Sequence, residues 1–327
     1  MNKTQQIFRE IERNKTRKLN ILTAQTHEGF ETNLCGTGHN FYAFCYQGSK
    51  PWQTKFRKIP SNYTPLNGND INQLLPNVQI DLVLSQTKFG QWQILSKVAK
   101  YLGVPLINLE HTGSHYGINI LDKIQSMKSD RDVFISNWSV DSWGYTQRPH
   151  TVIHHGVDSE LFTDRKKQRE NKILSINNDF INRDYCLNYS QFKRVTEGLP
   201  VSIYGDTKGL SEPCSSLEHM IEVYNTHRIF LSTANLSPIP SVVLEAASCG
   251  CAIVAARACA VEEYLTDGHD CLLADNDQDM RQHLEFLMSN ESKAKELGEN
   301  ARNTIRNKFN LNKFTNNWND TFWSVMR

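Results

Sequence analysis

Apolar positions along the chain switch between short continuous runs and helical spacing. Leu19–Ala24 is a run of strand length, and His27, Glu28 and Gly29 follow it as a loop leading into a short helix. Phe41–Tyr46 predicts a second strand. Residues 47–70, rich in Pro, Gly, Asn and Ser, predict irregular chain. Ile80–Ser85 predicts a buried strand, Trp92–Leu102 a helix, and Leu106–Leu109 a strand running out into Glu110, His111 and Thr112. A helix over 117–128 and a strand over Asp132–Ser136 close the first half. Ahead of it all, Ile7, Phe8 and Ile11 space an amphipathic helix within residues 1–17.

The alternation resumes after Val152–Asp158, a short strand and turn. Strands are predicted at Lys172–Asn177, Val201–Gly205, Arg228–Ser232, Ala252–Ala256 and Cys271–Leu273. Helices are predicted over 185–196, Met220–Asn225 and Val242–Cys249, and in most of the remaining chain. Strands alternating with helices imply parallel sheets covered on both faces. The 327 residues suit two cores of about 150 each. The boundary falls near 150–160, giving domains 1–150 and 151–327, both Rossmann-like.

Charge changes the picture little. The 36 Lys and Arg balance 35 acidic residues, so no general affinity for polyanions follows. No run of about 18 apolar residues predicts a membrane span, and residues 1–18 lack the apolar segment of a secretory signal. The expected location is the cytoplasm. Several of the eight cysteines sit among apolar or small residues, as core thiols do. Cys249 and Cys251 have no second pair at zinc-site spacing. Asp130–Asp132 and Asp275–Asp277 read as turn and capping residues, so no metal site is expected.

The chemistry concentrates in Ser237–Gly268. A loop with Pro238 and Pro240 leads from a strand to a helix expected to be N-capped by Ser241, with Val242 beside it and Glu245 in its first turns. Such a helix start at the carboxyl edge of a parallel sheet offers free N–H groups to a phosphate. A carboxylate there accepts hydrogen bonds from two neighbouring ribose hydroxyls.

Glu245–Val254, Ala260–Gly268 and the turn His154–Asp158 together resemble the group-one (family four) retaining glycosyltransferases of the GT-B fold. The resemblance covers most of residues 150–310 and weakens over the N-terminal half. It implies two Rossmann-like domains facing a cleft, with the C-terminal helix returning to the first domain. It also implies transfer of a sugar from a nucleotide-diphosphate sugar to an acceptor hydroxyl, with retention and without a required cofactor or metal. The family's first Glu stands here as Ser237. Its phosphate-binding Arg and Lys fall on Asn178 and Arg183. Its N-terminal glycine-rich loop is reduced to Gly29, and its donor-side His falls on His111.

On that basis His111 and Arg183 are the catalytic candidates. Gly29, Arg183, Lys208, Ser237, Ser241, Val242, Glu245 and Glu263 are expected on the donor side, and His27, Glu28 and His115 on the acceptor side. The acceptor stays open among a glycan, a lipid-linked sugar and a hydroxymethylated base of DNA. The DNA reading rests on basic stretches at Arg13–Lys18, Lys55–Lys58 and Arg165–Lys172. The N-terminal helix suits a membrane surface as well as it suits the core. A non-catalytic nucleotide-sugar binding module and a nucleotide-sugar epimerase of the same fold are the competing functions. A dinucleotide dehydrogenase is disfavoured, because no GxGxxG follows either first strand.

Overall fold

The computed structural model describes residues 17–45, 51–67, 74, 76–114, 126–144 and 149–326. The helix expected within residues 1–17 and most of that expected over 117–128 lie outside them, as does His115.

In the N-terminal half, β1 (Asn20–Ala24), β2 (Asn40–Phe44), β3 (Tyr63–Leu66), β4 (Leu82–Ser85), β5 (Leu106–Glu110), β6 (Arg131–Phe134) and β7 (His150–Val152) form one sheet. Its order is β3-β2-β1-β4-β5-β6-β7, and every pairing is parallel. β4 and β5 are buried throughout, which is why they read as unbroken apolar runs. β3 falls within the stretch expected to be irregular. It is an edge strand with Thr64 and Pro65 exposed. An edge strand pairs on one side only, so a proline without an N–H is tolerated there. Among the described residues three helices accompany the sheet: α1 (Glu28–Cys35), α2 (Trp92–Leu102) and α3 (Asn137–Ser142).

The C-terminal half has β8 (Glu170–Ile176), β9 (Val201–Tyr204), β10 (His227–Ser232), β11 (Ala252–Ala256) and β12 (Leu272–Ala274). They form a second parallel sheet in the order β12-β11-β10-β8-β9. Its helices are α4 (Asp184–Leu187), α5 (Tyr189–Thr196), α6 (Leu217–Thr226), α7 (Ser241–Ser248), α8 (Val261–Tyr264), α9 (Asp277–Ser289), α10 (Glu291–Lys308) and α11 (Leu311–Val325). The single helix expected over 185–196 is two, because Asn188 adopts φ 56° and its side chain caps α5. Asn is among the few residues that enter the left-handed region without a large steric cost.

Both sheets contribute to one continuous apolar cluster. α11 joins them. Phe314, Trp318 and Phe322 recur every four residues and are buried, so they form one stripe. That stripe lies on the N-terminal half: Phe30 is 5.7 Å from Phe314 and 6.3 Å from Trp318, and Phe41 is 6.3 Å from Phe322, between ring centroids. A hydrogen bond adds to the tie, Asn33 Nδ2 donating to Gly156 O at 2.9 Å. Among the described residues no helix is long and apolar enough to cross a membrane.

α10 approaches the α7–β11 turn closely enough that a Cβ on Gly298 would lie 2.2 Å from Gly250 O. Backbone cannot yield as a side-chain tip does. Gly298→Ala is therefore expected to destabilise by about 1–3 kcal/mol, the cost of overpacking a tight contact. Urea unfolding of the variant beside wild type checks this, and an unchanged midpoint would contradict the packing described.

Candidate functional site

In each sheet the first strand, β1 or β8, is an interior strand with later strands on both sides. Chain order reverses there, and open parallel sheets bind ligands outside the carboxyl ends of their strands at such a point. The loops after β1, β8, β9 and β10 accordingly carry the site.

α7 starts from Pro240, whose extended backbone (φ −64°, ψ 123°) occupies the cap position. This corrects the sequence expectation that Ser241 is the cap: Ser241 is the first helical residue. Pro240 has no side-chain acceptor, so α7 opens with no side-chain cap and its leading N–H groups stay available. Ser241 and Val242 line a cavity of about 380 Å³ between the two halves. One turn on, Glu245 lines it too and accepts a hydrogen bond from Tyr224 Oη at 3.0 Å. Burial raises the Glu245 carboxyl to about 7, against the opposing pull of Arg57 and the Tyr224 bond.

The cavity's C-terminal wall continues through Asn178, Gly205 and Asp206. Gly205 has φ 116°, and a Cβ there would fall 1.9 Å from Asn177 O. Only glycine lets the loops after β8 and β9 touch. Asn178 Oδ1 then accepts from Asp206 N at 2.8 Å.

The N-terminal wall has two pieces. Residues Gln25–Gly29 follow β1, and His27 caps α1 by accepting from Phe30 N at 3.4 Å. The second piece is Gln53, Phe56 and Arg57 from the β2–β3 connection. It reaches the other half directly: Leu217 N, at the start of α6, donates to Lys55 O at 3.1 Å. The Arg57 guanidinium lies 5.4 Å from the Phe162 ring centroid, and its Nη1 donates to Phe56 O at 3.0 Å. Trp52 Nε1 holds the Arg57 carbonyl at 2.6 Å.

Behind the β1 loop lies a buried polar cluster. Glu31 Oε1 accepts from Thr26 N and Thr26 Oγ1, both at 3.1 Å, and from Gln86 Nε2 at 2.8 Å. Burial raises its carboxyl to about 7. His111 Nε2 reaches Gln86 Oε1 at 3.4 Å. The His111 ring packs edge-on against Phe30 at 4.6 Å and stacks on His155 at 5.8 Å. Burial, with His155 and His27 adding to it, pushes the His111 imidazole down to about 3, so it is neutral at pH 7. It can exchange hydrogen bonds with hydroxyls but carries no charge to a phosphate.

The structure thus brings Gly29, Ser241, Val242 and Glu245 to one cavity with His27 and Glu28. It leaves other candidates outside the cavity lining, His111 among them, which sits behind the β1 loop. Arg183 and Lys208 are exposed in the turns after β8 and β9. Ser237 is half-buried in the β10–α7 loop. Glu263 faces α3 instead: its carboxylate accepts from Asn137 N at 2.9 Å and Trp138 N at 2.6 Å. It caps that helix across the junction of the two halves, at a helix start that favours a negative charge. Asp132, expected in a turn, is buried against Lys88 Nζ at 3.0 Å. Asn276 does cap α9, as read from sequence.

The basic run from Arg165 is mostly engaged within the chain. Arg165 pairs with Glu218, Lys166 with Asp164 and Lys167 with Glu222, Lys172 with Glu170, and Arg169 donates to the carbonyls of Tyr224, His227 and Cys249. Sequence reasoning missed Arg57, Tyr224, Glu31 and Gln86 as parts of the site. Arg57 was visible only as one of several neighbouring cations, and the others had no signal beyond their residue type.

A model of the family described as glycosyl transferase-like matches residues 189–320. No curated protein matches the chain by sequence. Solved structures similar in fold include HepE of Anabaena in complex with UDP, at 12% identity and TM-score 0.76, covering 94% of this chain and 100% of that one. A glycosyltransferase of Rickettsia africae is 14% identical with TM-score 0.70, covering 95% and 100%. The sucrose-phosphate synthase of Thermosynechococcus elongatus is 11% identical with TM-score 0.70, covering 94% and 99%. Two parallel sheets facing one cleft and this set of structural neighbours give the chain the GT-B fold, and its C-terminal half resembles the group-one glycosyltransferases.

Proposed function

We propose that this protein is a glycosyltransferase that moves a sugar from a nucleotide-diphosphate sugar to an acceptor hydroxyl. The observation that carries this is the uncapped start of α7 with Glu245 one turn behind it, both open to a cavity of about 380 Å³ between the halves. That volume lies within the range of small-ligand sites, about 300–1,000 Å³. HepE, which shares the fold, is solved with UDP and with UDP-glucose.

In this reading residues 151–327 hold the donor and residues 1–150 the acceptor. The ribose hydroxyls donate to Glu245, and the diphosphate lies at the Ser241 and Val242 N–H groups. As the glycosidic bond breaks, negative charge builds on the departing phosphate, where those preorganised dipoles stabilise it without reorganising. The β1 loop, Gln25–Gly29, faces the sugar from the opposite side, with neutral His111 behind it. Retention and independence of metal follow from the family resemblance. We take the acceptor to be a glycan or lipid-linked hydroxyl in preference to DNA, because the Arg165–Lys172 run is largely paired within the chain.

The test is incubation of the pure protein with labelled UDP-, ADP- and GDP-sugars, with and without simple glycan acceptors. Release of the nucleoside diphosphate, increased by acceptor, is expected for one donor. Tight binding with no turnover would make the protein a binding module, and conversion of the sugar without acceptor an epimerase.

A further inference from the structure

We infer that Arg57, supplied by the N-terminal half, is the cation that binds the donor diphosphate. This rests on the nucleotide-sugar reading above and adds a residue that the resemblance does not supply. A nucleoside diphosphate carries at least two negative charges at neutral pH. The cavity it would enter is already lined by Glu28, Asp206 and Glu245. The start of α7 offers the equivalent of about half a positive charge. That is too little to offset the two phosphate charges, which calls for a full cation.

Arg57 is the one Lys or Arg among the described residues lining the cavity. Arg183 and Lys208 are exposed and are not part of its lining. No carboxylate among the described residues lies within ion-pair distance of Arg57, and one guanidinium nitrogen is engaged, by the Phe56 carbonyl. Its remaining N–H groups form the planar fork that grips phosphate oxygens. The side chain is also preorganised. Phe162 lies beneath the guanidinium, and the Trp52 bond with the Leu217–Lys55 bond fixes the backbone that carries it. Arg57 and Glu245 line the same cavity, and the pull of Arg57 on the Glu245 carboxyl agrees with that placement. A ligand holding Glu245 through its ribose thus has its diphosphate near Arg57. Because Arg57 belongs to the β2–β3 connection, donor binding engages both halves at once.

Calorimetric titration with uridine, UMP and UDP, and with the adenine and guanine series, separates this from a structural role. Wild type is expected to bind one diphosphate well above its nucleoside. Arg57→Ala and Arg57→Met, the latter keeping an apolar stem over Phe162, are expected to lose about ten- to hundred-fold in diphosphate affinity, as for one or two charge-assisted hydrogen bonds. Nucleoside affinity should hold within about two-fold in the same variants, because the lost bonds lie only on the phosphates. Arg57→Lys should retain part of the increment as a point charge, and Arg183→Ala all of it. Equal weakening of nucleoside and diphosphate would overturn the inference, assigning Arg57 to the packing of the cleft. A wild-type diphosphate increment that survives in both Arg57 variants would overturn it too while leaving the nucleotide-sugar reading intact. Failure of wild type to bind any nucleotide of the three series would sink both.

Discussion

Glu245→Ala is expected to lower donor turnover by about 100-fold or more and to weaken nucleoside binding by a similar factor. Two hydrogen bonds from ribose hydroxyls to a carboxylate are each worth about 1.5–3 kcal/mol, and each 1.4 kcal/mol is tenfold. The loss should appear with the bare nucleoside, which sets it apart from the Arg57 variants. Turnover and nucleoside affinity within a few-fold of wild type would remove Glu245 from the site.

The same carboxyl sets a pH dependence with a definite sign. Burial raises it to about 7 in the folded protein, against about 4.3 for an exposed Glu. Below about 7 it is protonated and loses acceptor capacity, so wild-type nucleoside affinity should rise with pH through 7 and then level. Glu245→Gln should show weaker and flat binding. Stability runs the other way. Below the unfolded value both states hold the proton. Between that value and about 7 only the folded state holds it, so stability falls as pH rises and the full penalty stands above 7. Glu245→Gln should therefore be more stable than wild type at pH 8 and close to it at pH 4, measured by urea unfolding. A site that gains stability when its working carboxylate is removed is one arranged for binding at the expense of the fold.

The second large effect is structural. Trp318→Ala is expected to destabilise by about 3–5 kcal/mol, the usual cost of truncating a fully buried tryptophan. Trp318 is 1% exposed, and its ring packs against Phe30 on α1, Phe314 and Phe322. Its indole nitrogen has no hydrogen-bond partner among the described residues, so the cost is mainly packing and Trp318→Phe should recover much of it. Because Phe30 also touches His111 and His155, the Ala variant should lose activity before it unfolds. Denaturant titration monitored by far-UV circular dichroism, with activity followed in parallel, checks both. A change in unfolding free energy below about 1 kcal/mol would mean that α11 does not anchor the two halves.

What the sequence alone determined are properties that depend on near neighbours in the chain. The apolar run at Leu82–Ser85, the spacing of Trp92–Leu102 and the small-residue stretch after Glu245 reflect local periodicity and burial, which a linear pattern records. So does Asn276 at the start of α9. The placement of Glu245 beside the start of α7 was legible for the same reason, since helix start and carboxylate lie within one turn. β3 escaped because Pro65 and Thr64 obscure a strand that pairs on one edge only. Asp132 escaped because its partner, Lys88, lies on another loop. The cation of the cleft depended on tertiary structure for a similar reason. Arg57 and Glu245 are far apart in the chain, and nothing local distinguishes Arg57 from Lys55 or Lys58. Only the crossing of the β2–β3 connection onto α6 turns one of those cations toward the cavity. Charge acts through space, at distances that the order of residues does not encode.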